Sequence, residues 1–116
     1  MNSTNLTGRI TAEPRRSDNG TTRCWFTLAV DRPGSDQADF IPITCFDKLA
    51  AAVAEHTGKG HLVAVEGRLR TSSYDQDGTT VYRTDVIARR IEFLKAPKDN
   101  GQTTPTSVED ADAEPF

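Results

Sequence analysis

Hydrophobic and polar residues alternate along two runs of the chain, and a period of two residues is typical of half-buried β-strands. In residues 21–30, one face of the predicted strand carries Cys24, Phe26, Leu28 and Val30, and the other carries Trp25, Thr27 and Ala29. In residues 38–46, one face carries Ile41, Ile43 and Cys45, and the other carries Phe40, Pro42, Thr44 and Phe46. We expect the aliphatic face of each strand to be buried.

Three further strands are predicted over residues 5–11, 61–70 and 80–94. In residues 61–70, Val63, Val65 and Leu69 face one way, whereas Arg68 and Arg70 share the other parity with Tyr74, which lies just past the strand. In residues 80–94, the apolar parity changes from Val86 and Ala88 to Ile91 and Phe93. That change predicts a β-bulge or a sharp bend.

Turns and one helix separate these strands. Asp18-Asn19-Gly20, residues 32–36 and Asp77-Gly78 have turn composition, and Asp77-Gly78 predicts a tight hairpin. Between the third and fourth strands, Asp47 is a candidate helix N-cap, Leu49 and Val53 have helical spacing, and Gly58 and Gly60 end the helix near residue 57. Five strands with a helix in this place are the order of an OB-fold, a small all-β barrel, although other small mixed barrels share that order.

The composition changes after Leu94. Residues 95–116 contain three prolines and one glycine, with almost no large apolar residue before Phe116. Such a segment cannot bury enough surface to offset its ordering entropy. We therefore predict one folded domain over residues 1–94 and a disordered linker with an acidic tail over residues 95–116.

Charge narrows the possible partners only slightly. The 116 residues carry a formal net charge of −3, and residues 1–94 contain 12 basic and 12 acidic residues. Any cationic surface must therefore come from local clustering. No export signal or membrane-spanning window is visible, so we expect a cytoplasmic protein whose two cysteines, Cys24 and Cys45, are reduced and buried.

Large aromatic residues fall on the faces that the barrel interior does not need. By parity, Trp25, Phe40 and Phe46 point outward, and Tyr74 is in phase with Arg68 and Arg70. Stacking on a nucleobase contributes about 1–3 kcal/mol per base and tolerates any sequence. Candidate phosphate contacts near the strand ends and loops are Arg15, Arg32, Lys48, Lys59, Arg68 and Arg70. The alternatives are aromatics packed under a loop, helix or oligomer interface, and ordinary solvated charges.

Catalytic and metal-site interpretations are weak. His56 and His61 have the spacing of half a zinc-finger pattern, but Cys24 and Cys45 are 21 residues apart rather than a short Cys-x(2–4)-Cys step. We see no nucleophile with an adjacent base and no phosphate-cradling glycine motif. We therefore expect no metal, no cofactor and no enzymatic activity.

Four stretches resemble the bacterial single-stranded DNA-binding proteins: LTGRITAEP, FTLAVDRP, ADFIPITCFDKLAAAVAEHTGKGHLVAVEGRL and TSSYDQDGTTVYRTDVIARRIEFL. Together they cover nearly all of residues 1–94. The resemblance implies a homotetrameric, nucleoid-associated protein that coats single-stranded DNA during replication, recombination and repair. It assigns base stacking to Phe40, Phe46 and Tyr74, and phosphate contacts to Lys48, Lys59, Arg70 and, more loosely, Arg15.

The resemblance also gives the tail a function. In this family an acidic tip ending in Pro-Phe docks replication, recombination and repair proteins, and Asp112, Ala113, Glu114, Pro115 and Phe116 match it. A second hypothesis is an OB-fold adaptor in a replication-restart complex, which would use the outward aromatics as protein contacts and bind nucleic acid weakly. A third, an enzyme acting on nucleic acid, lacks a visible nucleophile or metal site.

Overall fold

The computed structural model describes residues 1–96 and the backbone of residues 106–109. This part of the chain forms seven strands and one helix. They are β1 Thr4–Ile10, β2 Arg15–Ser17, β3 Arg23–Asp31, β4 Ala38–Phe46, α1 Asp47–His56, β5 Leu62–Gln76, β6 Thr79–Lys95 and β7 Thr106–Glu109. The five predicted strands correspond to β1, β3, β4, β5 and β6, and the helix lies where it was predicted.

Five of the strands close into a barrel. The sheet runs in the order β1-β5-β6-β4-β3, and β1 also pairs with β3, which completes the ring. β4 and β6 pair in parallel through Ile43–Val86 and Thr44–Ile87, while the other pairs in the ring are antiparallel. Closure leaves the ring strands without long unpaired edges where they meet.

The interior is filled by the residues that parity assigned to it. The buried core contains Ile10, Cys24, Phe26, Leu28, Ile43, Cys45, Val63, Val65, Val86, Ala88, Ile91 and Phe93. Helix α1 adds Leu49, Ala50 and Val53 to the same core. Full burial of each large aliphatic side chain contributes about 1.5–3 kcal/mol relative to exposure, so this set is the main stabilising term.

The parity change in β6 is a β-bulge, as predicted. Glu66 pairs with Arg90 but Gly67 pairs with Ala88, so β6 uses one more residue than β5 at this point. The extra residue brings both Ala88 and Ile91 to the inside. A Cβ atom on Gly67 would lie 2.1 Å from the Ile87 carbonyl oxygen, and therefore only glycine permits this approach.

The β5–β6 hairpin projects beyond the barrel, which corrects two details of the sequence analysis. β5 continues to Gln76, so Tyr74 lies inside the strand rather than just past it. Leu69 has the parity of Val63 and Val65 but is 47% exposed, because the ring no longer covers β5 at this point. Asp77 and Gly78 form the predicted turn, with φ angles of +52° and +80°.

The start of α1 also differs from the prediction. Asp47 is the first helical residue, not the N-cap, and the cap position Phe46 makes no side-chain hydrogen bond. Asp47 has a φ of +56°, and its backbone N–H donates to the Thr22 carbonyl at 2.9 Å. At the other end, Thr57 donates to the Val53 carbonyl through its N–H at 3.1 Å and its hydroxyl at 2.7 Å. The helix therefore ends near residue 57 as predicted, although the capping hydrogen bonds come from Thr57.

Two short strands were not predicted. β2 pairs with β3, and β7 pairs with β6 from Phe93–Thr106 to Arg90–Glu109. β7 and Lys95, the last residue of β6, lie within residues 95–116, and the division of the chain after Leu94 stays a prediction. Residues 97–105 and 110–116 lie outside the described part of the chain. No helix in the described part has the length and apolar character needed to cross a bilayer.

Candidate nucleic-acid interface

A groove of about 520 Å³ crosses the outer face of β3, β4 and the β5–β6 hairpin. Its charged lining consists of Arg15, Arg23, Arg70 and Arg83 with the carboxylates Glu13 and Asp85, and its aromatic lining consists of Trp25 and the core residue Phe26. Four arginines and two carboxylates give the groove a net charge of plus two, although the barrel as a whole is neutral. The local clustering that a neutral barrel requires is therefore present.

Cross-strand register brings these residues together. Arg15 on β2 lies directly opposite Trp25 on β3, and Trp25 lies opposite Thr44 on β4. The Thr44 hydroxyl donates to Asp85 Oδ2 on β6 at 2.8 Å, and Asp85 in turn pairs with Arg70 on β5. One row of side chains thus runs across five strands.

Asp85 is the centre of this row. Arg70 donates two hydrogen bonds to Asp85, from Nε to Oδ1 at 3.2 Å and from Nη2 to Oδ2 at 2.9 Å. Burial on its own would raise the pKa of Asp85. The hydrogen bonds from Arg70 and Thr44, with the charges of Arg70 and Arg83, outweigh burial and hold the pKa below its ordinary value. Asp85 is therefore ionised at neutral pH and neutralises much of the Arg70 charge.

Trp25 forms one wall of the groove and is half-buried. The guanidinium carbon of Arg23 lies over the indole, 5.2 Å from the ring centroid, which is within cation–π range. The predicted outward parity of Trp25 is therefore confirmed.

The other three predicted aromatics lie next to the groove rather than in its lining. Phe40 and Phe46 lie on β4, two residues before Pro42 and two residues after Thr44, which both line the groove. Tyr74 lies two residues past the lining residue Ser72 on β5. Two-residue steps keep all three on the face of the groove. Phe40 is 65% exposed, Tyr74 is 47% exposed and Phe46 is half-buried.

The predicted basic residues are distributed less evenly. Arg15 and Arg70 line the groove, and Arg68 is exposed two residues before Arg70. Arg32 is held within its own loop, because it pairs with Asp39 at 2.8 Å and donates to the Gln37 side chain at 3.0 Å. Lys48 and Lys59 are exposed at the start of α1 and in the loop after it.

Sequence reasoning missed four charged residues of the groove lining, which are Glu13, Arg23, Arg83 and Asp85. Arg23 and Arg83 line the groove, and both could have been found by parity, because Arg23 is two residues from Trp25 and Arg83 two residues from Asp85. Tyr82 is 77% exposed and lies opposite Ser73, so that it faces away from Tyr74 on the same hairpin.

The other candidate groups do not assemble into a site. Cys24 and Cys45 face each other on β3 and β4 as free, buried thiols, and burial raises the pKa of Cys24 to about 11 and also raises that of Cys45. The His61 ring accepts a hydrogen bond from the Gly58 N–H at 3.1 Å. Within residues 1–96, no three His, Cys, Asp or Glu side chains are grouped as metal ligands. The tail residues Asp112, Glu114, Pro115 and Phe116 lie outside the described residues.

Comparison with known proteins identifies the family of the chain. Residues 1–94 match the model of the single-strand binding protein family. The chain is 45% identical over 108 residues to single-stranded DNA-binding protein 2 of Clostridium acetobutylicum, covering 86% of this chain and 81% of the relative. It is 42% identical over 110 residues to single-stranded DNA-binding protein 2 of Staphylococcus aureus strain COL, covering 88% and 78%.

A solved structure shows the same fold. The crystal structure of the mitochondrial single-stranded DNA-binding protein Rim1 from S. cerevisiae superposes with a TM-score of 0.68 at 23% sequence identity. The match covers 81% of this chain and 95% of Rim1. The OB-fold prediction is therefore confirmed.

We expect Asp85→Asn to destabilise the fold at neutral pH by about 1–3 kcal/mol, the scale of hydrogen bonds to a charged group. The pKa of Asp85 is lower in the folded than in the unfolded chain, so its contribution is complete above the unfolded value and is lost as the pH falls through the folded value. The difference between variant and wild type should therefore shrink below about pH 4. Urea unfolding at several pH values measures it.

The matched control is Asp36→Asn, which makes the same change in the exposed loop between β3 and β4. It should change stability little at any pH. A loss of stability for Asp85→Asn that stays constant down to pH 3 would contradict the assigned ion pair.

Proposed function

The chain belongs to the single-strand binding protein family, and on that premise we propose that it binds single-stranded DNA without sequence preference and protects it during replication, recombination and repair. The observation that carries the proposal is the arginine-lined groove around Trp25. Phe40, Phe46 and Tyr74 lie beside this groove on the same face of the barrel. We place this activity in the cytoplasm, at the nucleoid.

The chemistry of the face supports binding by stacking. Every nucleobase has a flat π-face, so an exposed phenyl, phenol or indole ring accepts any base at about 1–3 kcal/mol each. Phe40 and Tyr74 are exposed enough to accept a base without moving. Trp25 lies on β3, Phe40 and Phe46 on β4 and Tyr74 on β5, so different bases of one DNA strand can stack on different rings.

The charges of the groove support phosphate binding without base readout. Arg15, Arg23 and Arg83 line the groove, and none of them pairs with a carboxylate within residues 1–96. Reading base edges requires donors fixed in a bidentate geometry. Arg70 is fixed, but its Nε and Nη2 groups already donate to Asp85. This arginine therefore adds positive potential to the groove and does not read base edges with these donors.

We further propose that the protein acts as a homotetramer. Family membership is the main support. A second, shallow depression on β1, β5 and β6 offers surface for self-association away from the groove, and its outward-facing lining is Asn5, Thr7, Ala64, Glu66, Arg90 and Glu92.

The tail is proposed to recruit partner proteins. Its last residues combine the carboxylates of Asp112 and Glu114 with the apolar ring of Phe116 beside Pro115. Such a segment suits a basic pocket with an apolar floor on replication, recombination and repair proteins. Its negative charge also competes with DNA for the arginine-lined groove, and this competition is weak and is screened as salt rises.

Phe40→Ala and Tyr74→Ala are each expected to weaken binding to oligo(dT) by about 1–3 kcal/mol, the stacking contribution of one base. Tyr82→Ala is the matched control, because Tyr82 is an exposed tyrosine on the other face of the same hairpin. Fluorescence anisotropy titration measures the affinities, and circular dichroism verifies the fold. Wild-type affinity for both variants would remove these residues from the site, and wild-type protein that ignores oligo(dT) would favour the adaptor hypothesis.

Native mass spectrometry is expected to show an assembly of four times the chain mass of 12.7 kDa. Dilution to nanomolar concentration should leave that mass in place if the interface is of the obligate kind. A monomer at micromolar concentration would exclude the homotetramer.

Removal of residues 112–116 is expected to abolish the capture of replication, recombination and repair proteins from a bacterial lysate, with affinity for oligo(dT) retained or slightly raised. Phe116→Ala is the companion variant, because it keeps every carboxylate and removes only the ring. It should lose capture as the truncation does. Full capture by the truncated chain would show that the partners bind elsewhere.

A further inference from the structure

Arg23 occupies a position between two aromatic rings of the proposed DNA-binding face. It lies directly opposite Phe46 in the β3–β4 ladder and two residues before Trp25 on β3. Both neighbours share its outward face, because opposite residues and two-residue steps preserve the side of the sheet. A DNA strand that passes from Trp25 to Phe46 therefore passes beside Arg23.

Like Arg15 and Arg83, and unlike several other arginines, Arg23 pairs with no carboxylate in the described part of the chain. Arg16 pairs with Asp18, Arg32 with Asp39 and Arg70 with Asp85. In the part of the chain that the structure describes, no carboxylate lies within ion-pair distance of Arg23, and its recorded partner is the indole of Trp25 at 5.2 Å. The positive charge is thus held over a ring and remains available to an anion.

The contact with Trp25 is of a kind that a nucleotide can replace. An exposed cation–π contact is weaker than the stacking of a nucleobase on the same ring. A nucleotide also brings a phosphate, which attracts a guanidinium more strongly than a neutral ring does. A single nucleotide can therefore offer a better partner to the indole and to the guanidinium at once.

We propose that Arg23 is a DNA-binding residue that covers Trp25 in the free protein and exchanges places with a nucleobase on binding. The base stacks on the indole, and the guanidinium turns outward to a phosphate of the same strand. This inference rests on the proposed function, and it adds a residue and an order of events to it. The Arg23 guanidinium thus keeps the exposed part of the indole covered until DNA arrives.

Trp25 is the single tryptophan of the chain, so its fluorescence reports on this site alone. In the free protein, Arg23→Ala should raise the acrylamide quenching constant of Trp25, because the indole loses the guanidinium that covers it. Arg23→Lys retains a cation and should give a smaller increase. Arg16→Ala is the matched control, because Arg16 forms an ion pair with Asp18 and lies outside the groove lining.

The salt dependence of DNA binding tests the contact between the Arg23 guanidinium and a phosphate. Each phosphate contact contributes about 0.7 to the slope of log affinity against log salt for a single strand. Arg23→Ala should lower the magnitude of that slope for oligo(dT) by about this amount, Arg23→Lys should restore it, and Arg16→Ala should leave it unchanged. A residue that only supports the fold would not change the slope in this way.

The outcomes separate this inference from the proposed function. Salt-dependent binding by the wild type with an unchanged slope for Arg23→Ala would overturn the role of Arg23 and leave the proposed function standing. Unchanged acrylamide quenching for Arg23→Ala would likewise overturn the covering of Trp25. Failure of the wild-type protein to bind oligo(dT) would remove both proposals. A lower slope with raised quenching is the expected result.

Discussion

The structure depends on one geometric constraint: each strand of a closed barrel must send every second side chain inward. β1, β3, β4, β5 and β6 close into a ring, and their inward residues are almost all aliphatic, Cys or Phe. The interior is then full, and the large aromatics of the alternate positions have to lie outside. The outward aromatic face is thus a direct consequence of how the core is filled.

The bulge at Gly67 maintains this constraint along the longest strand. β6 has 17 residues and could not keep Val86, Ala88, Ile91 and Phe93 on one side with a strict period of two. One extra residue on β6 restores the inward phase, and the close approach of Gly67 to the Ile87 carbonyl makes that shift possible. The segment before the bulge continues into the hairpin, which carries Tyr74 to the groove side and leaves Tyr82 on the other.

Asp85 sets the charge of the groove. A buried carboxylate in the middle of the proposed DNA-binding face has a desolvation cost, and its charge repels phosphate. Its cost is offset by two hydrogen bonds from Arg70 and one from Thr44, which join β4, β5 and β6 beneath the groove. The arginines around the Asp85 pair then carry the excess positive charge. Asp85, Arg70 and Thr44 form the rigid support, whereas other arginines supply the available positive charge. This division suits the proposed binding of any base sequence.

Whether a side chain points into or out of the barrel could be predicted from the sequence. Alternation placed Trp25, Phe40 and Phe46 outward, the parity change located the bulge in β6, and Asp77-Gly78 located the hairpin turn. Each of these is a local property, because the two-residue period and the preference for positive φ are written in neighbouring residues. The recognition of the family followed from motifs that cover nearly the whole barrel.

Tertiary structure alone decided which side chains meet. Arg70 and Asp85 are 15 residues apart and Thr44 and Asp85 are 41 apart, so no local pattern indicates their network. The same holds for Asp47, whose positive φ accompanies a bond to Thr22, and for Leu69, which has core parity but lies where the ring has ended. Periodicity reports whether a side chain leaves the sheet inward or outward. Which strand becomes its neighbour, and how far the barrel extends to cover it, is settled only when distant segments pair.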